Sequence, residues 1–376
     1  MSLTTNVLII GRSGVGKSSL LNYLFGQEVE AVGAGAPVTK KGINAHNCNL
    51  SEDFSVCVYD TWGLEPGRND AWYELISGEI AKHDAASLQD WFHTIIYCVN
   101  AGLNRIEDFE LELMKGLIDD GNHLVVAFTH ADIAGADQVI EAYRNRLGDA
   151  DLSMVDIVPV CSVEKKLIGG GGSKAYGREE LLQFVRKGLW EKIVARIPSD
   201  AIKKAEKKIN FAEKTCKDYI NHNIKLFKIY SDKQYEEIAD YIREVLEDCI
   251  KGYHEMYMAE IFTGYRYFTD ICEKFMAVNM DAAKKETELP QISLDFKQDN
   301  VAKVSNAIAT ASYSLLIPGA VFVMPFAVKD NQKKRCMEIL NIQISNMRDN
   351  LYKDETMLRD MLTEMIPMES FEMRKD

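Results

Sequence analysis

The chain has 376 residues, with 44 basic and 57 acidic side chains and a formal net charge of −13. One hydrophobic core usually serves about 100–200 residues, so this length predicts two domains or one domain with a large appendage. The hydrophobic content of 47% is ordinary for a globular protein and excludes disorder as the main state. Since the negative charge repels phosphate backbones and no basic patch stands out, we expect no direct nucleic-acid partner.

The eight cysteines are spread along the chain, without a C-x-x-C pair or a cysteine–histidine cluster at zinc-binding spacing. This distribution predicts free thiols in a reducing compartment. The first residues lack a basic region followed by a long apolar stretch, so they do not resemble a signal peptide. We therefore expect a cytoplasmic protein, and the C-terminal half leaves peripheral membrane binding open.

Between residues 5 and 195, short apolar runs alternate with longer segments of helical periodicity. This alternation is typical of an α/β fold with a mostly parallel sheet flanked by helices. The predicted strands are 6–10, 55–60, 94–99, 123–128 and 156–160. The predicted helices are 17–25, 107–117, 138–147 and 178–194. The Gly-rich run 169–173 predicts a loop, and Pro198 predicts a boundary.

A glycine-rich segment between the first strand and the first helix matches the pattern G-x-x-x-x-G-K-[ST]. It begins at Gly11 and ends with Gly16, Lys17 and Ser18. In such a loop the backbone N–H groups and the helix N-terminus surround a phosphate chain, the lysine reaches the β- and γ-phosphates, and the hydroxyl ligates Mg²⁺. Because a strand and a helix flank the motif as this mechanism requires, the segment predicts a nucleotide-binding loop.

Two acidic residues follow later strands. Asp60 ends the second predicted strand and opens a D-x-x-G pattern that closes at Gly63, which suits a Mg²⁺ water shell and contact with a γ-phosphate. Asp132 closes the segment Thr-His-Ala-Asp, and its carboxylate can accept two hydrogen bonds from guanine that adenine cannot donate. Either residue would serve equally in a plain turn or a helix cap, so each pattern is weak alone.

The last predicted strand ends in Cys-Ser-Val, where the amide of Val163, next to Ser162, could bind the guanine carbonyl. The residues predicted to bind the nucleotide are Gly11, Ser13, Gly14, Val15, Gly16, Lys17, Ser18, Ser19, Thr129, His130, Asp132, Ser162 and Val163.

In this order, the segments 11–18, 37–39, 60–63, 129–132 and 162–163 resemble the five G motifs of the translation-factor-related class of P-loop GTPases. The flanks of the second and third segments also look like those of Era-like and ribosome-binding-type bacterial GTPases. The resemblance covers about residues 5–195 and implies a Ras-like G domain that binds GTP or GDP with Mg²⁺. By this resemblance the catalytic residues would be Lys17, Thr39 and Gly63, and the magnesium ligands would be Ser18, Thr39 and Asp60.

Three positions depart from the family. His130 replaces the lysine whose stem packs over guanine, and an imidazole can stack in its place. Leu64 stands where Ras-like enzymes keep a water-orienting glutamine, so we expect slow hydrolysis by the chain alone. Gly14 replaces the Asn of potassium-activated relatives and the Ser of dynamins. Catalysis would then be completed by Glu65, Arg12 or Arg68, or by a second protomer that docks across the nucleotide.

Beyond Pro198 the pattern changes to long amphipathic helices. One apolar stripe at heptad spacing, broken at Asn223, consists of Ile202, Ala205, Ile209, Ala212, Cys216, Tyr219, Leu226 and Tyr230. A second stripe extends from residue 238 to about 278, and a third from 336 to 351. We therefore predict a G domain at 1–198 and an α-helical domain at 199–376.

The segment 304–328 carries no charged residue. The Pro318-Gly319 turn and Pro325 make it a poor single span, so two short apolar arms are the better prediction. These arms could form a buried hairpin in the core of the helical domain. Alternatively, they could enter a bilayer, as in the dynamin-like and immunity-related GTPases that this layout resembles.

The sequence thus predicts a Mg²⁺-dependent GTPase that acts as a molecular switch through a helical effector domain. The alternative is a dynamin-like, membrane-associated GTPase that uses 304–328 to contact lipid. The expected partners are a guanine nucleotide, a second copy of the chain across the nucleotide, and a protein or membrane surface at the helical domain.

Overall fold

In the computed structural model, the described residues are 3–25, 43–52, 54–61, 69–102, 107–166, 172–225, 230–282, 332–366 and 371. The strands are β1 (Leu3–Gly11), β2 (Ile43–Ser51), β3 (Phe54–Thr61), β4 (Phe92–Asn100), β5 (Leu124–Thr129), β6 (Asp156–Pro159), β7 (Lys165–Lys166) and β8 (Gly172–Ser173). The helices are α1 (Lys17–Phe25), α2 (Asn69–Asp84), α3 (Asp108–Asp119), α4 (Ala136–Asp149), α5 (Arg178–Asn223), α6 (Asp232–Ala282) and α7 (Gln332–Met365).

Six strands form one sheet in the order β2-β3-β1-β4-β5-β6. β2 is antiparallel to β3, and all other neighbours in this sheet are parallel. β4 is buried along its length except at Asn100, and β5 is buried throughout. Strands of a parallel sheet with both faces covered have this continuous apolar character. The predicted α/β fold of the Ras-like type is confirmed.

Every predicted strand and helix of the first 195 residues overlaps an observed one, and α1 matches at both ends. Among the elements given above, β2, α2, β7 and β8 were not predicted, and β8 takes in the last two residues of the predicted loop 169–173. β2 is a polar edge strand whose antiparallel partner is β3, so it lacks the apolar run that marked the others. α2 buries Trp72, Ile76 and Ile80, one residue per turn, which is too sparse a stripe to stand out in the sequence.

The helix that begins at Arg178 does not end at residue 194, as predicted, but continues through Pro198 to Asn223. A proline inside a helix removes one hydrogen bond and costs about 3 kcal/mol. Ile197 and Ala201 on either side of it are 4% and 1% exposed, so their burial offsets much of this cost. The prediction that the helix ends before Pro198 was wrong because burial of the neighbouring side chains stabilises the helix against the cost of the proline.

Contacts divide the described residues into two compact units. The first unit comprises the described residues within Met1–Lys192, Tyr267–Ile292 and Met368–Asp376. The second unit comprises the described residues within Ile193–Arg266 and Ser293–Pro367. The predicted domain limits, 1–198 and 199–376, stay a prediction.

The first unit combines the sheet with residues from much later in the chain. The Tyr267 hydroxyl donates a 2.6 Å hydrogen bond to the carbonyl oxygen of Thr4 in β1. Phe268 packs against the fully buried Trp190, with ring centroids 4.9 Å apart, and Gln183 donates to the carbonyl oxygen of Phe371. The α/β unit therefore contains side chains that the sequence pattern assigned to the helical half.

The second unit is helical. Along α5, Ala205, Ile209, Ala212 and Cys216 are buried as the heptad pattern predicted. Ile202 and Tyr219 are only half-buried, and their neighbours Ala201 and Ile220 take the buried positions. Tyr219 instead stacks on Tyr241 of α6 at a centroid distance of 3.8 Å. The helical C-terminal region is thus confirmed, with its apolar stripe shifted by one residue at two places.

A buried carboxyl in this unit predicts a pH-dependent stability. The Tyr257 hydroxyl donates a 3.3 Å hydrogen bond to Asp354, yet burial raises the pKa of Asp354 from 3.8 to about 6. The folded state therefore holds the proton more tightly, and this contribution to stability is lost as pH rises from about 4 to about 6. We expect Asp354→Asn to raise the free energy of unfolding at pH 8 more than at pH 4.

Urea unfolding followed by circular dichroism at both pH values measures this difference. Asp349→Asn, an exposed change on the same helix, is the matched control and should shift stability little at either pH. An Asp354→Asn effect of equal size at pH 4 and pH 8 would contradict the assignment of the raised pKa.

All eight cysteines are free thiols, as predicted. Within the part of the chain that the structure describes, no helix has the length and apolar character needed to cross a bilayer. The uncharged segment 304–328 lies outside the described residues, so both interpretations of it stay predictions.

Candidate nucleotide-binding site

The glycine-rich loop connects the end of β1 to the start of α1, at the carboxyl edge of the parallel strands. Ser13 and Gly14 are exposed at its tip, whereas Val15 is buried. The φ angles of Gly11, Gly14 and Gly16 are 145°, 76° and 95°, all in the region that favours glycine. The loop therefore follows a backbone path that other residues would adopt only with strain.

The base of the loop is packed against neighbouring strands, and its tip is open. A Cβ atom at Gly11 would lie 2.5 Å from the carbonyl oxygen of Cys98 in β4. One at Gly16 would lie 3.3 Å from His130 Nε2, whereas one at Gly14 would meet no heavy atom within 4 Å. The open space at the tip is where a phosphate chain could approach the backbone.

Lys17 is the first residue of α1 and is 8% exposed. Its ammonium group donates hydrogen bonds to the carbonyl oxygens of Gly11, at 3.2 Å, and Arg12, at 3.1 Å. Hydrogen bonds that involve an ion are stronger than neutral ones, so these two carbonyls fix Nζ beside the loop. A cation in this place can bind phosphate oxygens.

The turn after β5 lies directly on the loop. The Thr129 hydroxyl is buried within hydrogen-bond distance of the carbonyl oxygens of Val15 in the loop and Val99 in β4. His130 has a φ of 55°, a left-handed conformation in which histidine is one of the more frequent non-glycine residues. This geometry places the His130 ring against the backbone of Gly16.

The turn after β6 joins the same region. The amide of Ala131 donates a 3.2 Å hydrogen bond to the carbonyl oxygen of Val160, which ties the segment with Asp132 to the segment after β6. Ser162 is half-buried and Val163 is 54% exposed. The three segments predicted to contact phosphates and guanine are therefore neighbours in the fold.

Tyr176 is a residue at this site that sequence reasoning missed. Its backbone exchanges two hydrogen bonds with Cys161, of 3.1 and 3.0 Å, and its side chain is 42% exposed. Burial, followed by electrostatic interaction with Cys161, Asp132 and Asp137, raises the pKa of Tyr176. The backbone pairing places Tyr176 beside the segment that follows β6. The only signal in the sequence was a single aromatic residue after a glycine-rich run.

The oxygen chemistry of the site fits magnesium. Ser18 lies half-buried in the first turn of α1, and the strand register sets Asp60 of β3 opposite Ile9 of β1, at the same edge of the sheet. Hydroxyl and carboxylate oxygens are ligands that Mg²⁺ prefers. The predicted residues Thr39 and Gly63 lie outside the described residues, as does the side chain of Asp60. Their roles, and those of the other predicted site residues such as Ser19, stay predictions.

Comparison with known proteins shows what this region resembles. Residues 6–130 match a family model described as 50S ribosome-binding GTPase. The chain is 25% identical over 198 residues to the GTPase Der of Nitrobacter hamburgensis, covering 52% of this chain and 40% of that protein. It is 24% identical over 258 residues to the GTPase Era of Clostridium beijerinckii, covering 66% and 78%. Among solved structures, Toc33 of Arabidopsis thaliana matches at 18% identity and a TM-score of 0.34, over 49% and 83%.

The chain spans less than half the length of the Der proteins it matches. The region that matches the family model runs from β1 through the glycine-rich loop to His130, in the turn that docks on the loop. The N-terminal part of this chain therefore resembles an Era-like G domain of the translation-factor-related class of P-loop GTPases.

Proposed function

We propose that this chain binds GTP and GDP with magnesium and hydrolyses GTP to GDP and phosphate, as a switch coupled to its helical region. The observation that carries this proposal is the hydrogen bond from the Thr129 hydroxyl, at the end of β5, to the carbonyl oxygen of Val15 in the glycine-rich loop. His130 in the turn that follows lies close to Gly16, where a Cβ atom would come within 3.3 Å of Nε2. A ligand with a phosphate chain at one end and a purine at the other can use both segments at once.

Each segment has a distinct chemical task in this proposal. The backbone amides of the loop and the N-terminus of α1 bind phosphate oxygens, and Lys17 adds a positive charge that its two carbonyl contacts hold in place. Magnesium, held by Ser18 and Asp60, would neutralise negative charge on the phosphates. Asp132 accepts two hydrogen bonds from guanine, and the ring of His130 covers the base.

We expect hydrolysis by a single chain to be slow, because Leu64 stands where related enzymes keep a water-orienting glutamine. A second copy that docks across the nucleotide would complete the site. Release of the γ-phosphate would free the segments around Thr39 and Gly63 and change the partner of the helical region. The absence of direct nucleic-acid binding rests on net charge and stays a prediction.

The proposal is tested by single-turnover release of phosphate from GTP, with and without Mg²⁺ and with ATP as competitor. Release that requires Mg²⁺ and that ATP does not suppress supports it. A rate that rises with protein concentration supports the dimer, whereas a fast rate independent of concentration contradicts it. Failure to bind either GTP or GDP would overturn the function.

Asp132→Asn should change the base that the site selects. Guanine presents two N–H donors to the carboxylate of Asp132, and an asparagine amide can accept only one of them, because its other group is a donor. Xanthine carries a carbonyl in place of the amino group of guanine, so it can pair with both groups of the amide. We expect the affinity for GDP to fall at least tenfold, on the order of one lost charged hydrogen bond, and that for xanthosine diphosphate to rise. Competition against a fluorescent GDP measures both.

Asp137→Asn is the matched control, because it removes the same charge from an exposed position in the first turn of α4. It should leave both affinities nearly unchanged. Retention of wild-type GDP affinity by Asp132→Asn would show that this carboxylate does not contact the base.

A further inference from the structure

The side chain of Arg12, the second residue of the glycine-rich loop, does not extend towards the open tip. Its Nε and Nη2 atoms donate to the two carboxylate oxygens of Glu110 at 3.2 and 3.1 Å, and Nη2 also lies 2.9 Å from Glu107 Oε1. The guanidinium carbon lies 5.3 Å from the centre of the Phe109 ring. Arg12 is therefore bound to the first turn of α3, almost one hundred residues away in the chain.

The two glutamates differ in how firmly they are held. The Glu110 side chain is 6% exposed, accepts a 2.8 Å hydrogen bond from the Tyr97 hydroxyl and accepts a second, of 3.0 Å, from the Glu107 amide. Its negative charge also raises the pKa of the buried Tyr97 and Tyr143, after burial itself. The Glu107 side chain is 40% exposed. Glu110 is thus a fixed anchor, and Glu107 is a peripheral contact.

The backbone of Arg12 performs a second task. Its carbonyl oxygen accepts one of the two hydrogen bonds from Lys17 Nζ, and the carbonyl of Gly11 accepts the other. The same residue therefore connects an anchor in α3 with the ammonium group at the phosphate site. The guanidinium and the carbonyl that accepts from Lys17 belong to the same residue. A change in how the guanidinium is held can therefore shift that carbonyl.

We propose that Arg12 is a positioning residue through which Glu110 of α3 holds Lys17 in place for the phosphates. This inference rests on the proposed nucleotide-binding function and assigns Arg12 a role different from direct catalysis. Its guanidinium is bound to two carboxylates, one of them buried, and it could reach a γ-phosphate only by abandoning that pair. Movement of α3 would accordingly alter nucleotide affinity.

The test compares the rates at which a fluorescent GDP and a non-hydrolysable GTP analogue dissociate from the wild type and from five variants. We expect Arg12→Gln and Glu110→Gln each to speed dissociation of both nucleotides about tenfold, and the double variant to be no faster than the worse single one. Arg12→Lys, which keeps the charge but cannot bind both oxygens, should fall between. Glu107→Gln, the matched control on the same arginine, should stay within about twofold of the wild type.

Other outcomes overturn the inference. If Arg12→Gln slows single-turnover hydrolysis but leaves GDP dissociation unchanged, Arg12 acts directly in catalysis. If Glu107→Gln and Glu110→Gln have equal effects, the buried anchor has no special role. If Glu110→Gln does not fold, Arg12→Gln and Arg12→Lys still test the inference. We expect these two variants to fold because the Arg12 side chain is 26% exposed. If the wild-type chain binds no GDP, the proposed function is refuted. If the wild type binds GDP and the Arg12 and Glu110 variants release it at the wild-type rate, only this inference is refuted.

Discussion

Lys17→Ala should lower the affinity for GTP by about 10²- to 10⁴-fold and the affinity for GDP by about 10- to 10²-fold. Each hydrogen bond from an ammonium group to a phosphate is worth about 1.5–3 kcal/mol, and Lys17 is expected to make one to the β- and one to the γ-phosphate. GDP lacks the γ-phosphate, so only one of these hydrogen bonds is lost and the effect is smaller. The ammonium is already held at the loop by the carbonyls of Gly11 and Arg12, so little ordering is needed when the nucleotide binds.

Equilibrium titration with a fluorescent GDP and GTP analogue measures the loss. Lys82→Ala is the matched control, because it removes an equal charge from a side chain that is 73% exposed on α2. This control corrects for the change in net charge and should bind like the wild type. A Lys17→Ala protein that bound GDP within threefold of the wild type would refute the phosphate site.

Gly177→Ala should destabilise the α/β unit more than any surface glycine replacement of similar backbone conformation. Gly177 has a φ of 89°, and a Cβ atom there would lie 2.2 Å from the carbonyl oxygen of Pro159. The left-handed conformation alone costs about 1 kcal/mol for alanine, and displacement of the backbone adds about 1–3 kcal/mol. Because Gly177 follows Tyr176, which pairs with Cys161, the shift should also weaken GDP binding.

Gly121→Ala separates the two causes. Gly121 has a φ of 79°, but a Cβ atom there would meet nothing within 4 Å, so this variant keeps the strain and lacks the clash. Urea unfolding followed by tryptophan fluorescence reports on the α/β unit, since all four tryptophans lie within residues 62–190. Equal losses of stability in the two variants would show that close packing at Gly177 contributes nothing.

The sheet and the loop were predictable because their signals are local. Parallel strands with both faces covered need continuous apolar runs, and those in β4 and β5 are evident without any knowledge of their neighbours. The loop was predictable because a tight turn around phosphates needs glycine at fixed places, here Gly11 and Gly16. Both kinds of constraint act within about ten residues of chain.

Contacts between distant residues were not predictable. Arg12 was one of several candidates for a catalytic group, and nothing in its neighbourhood in the sequence indicates a partner at Glu110. Tyr176 reaches the site only because its backbone pairs with Cys161. α5 continues through Pro198 because Ile197 is deeply buried. Helix propensity describes only local sequence and does not include burial against distant residues.

The contacts of Tyr267 with Thr4 and of Phe268 with Trp190 also bear on how the protein is synthesised. The ribosome adds about 5–20 residues per second, so roughly 4–15 s pass between the emergence of Lys192 and that of Tyr267. During that interval Trp190 lacks the Phe268 ring that packs against it in the folded protein. The nascent chain therefore exposes an apolar surface for seconds, which makes this the stage at which a chaperone would be most useful.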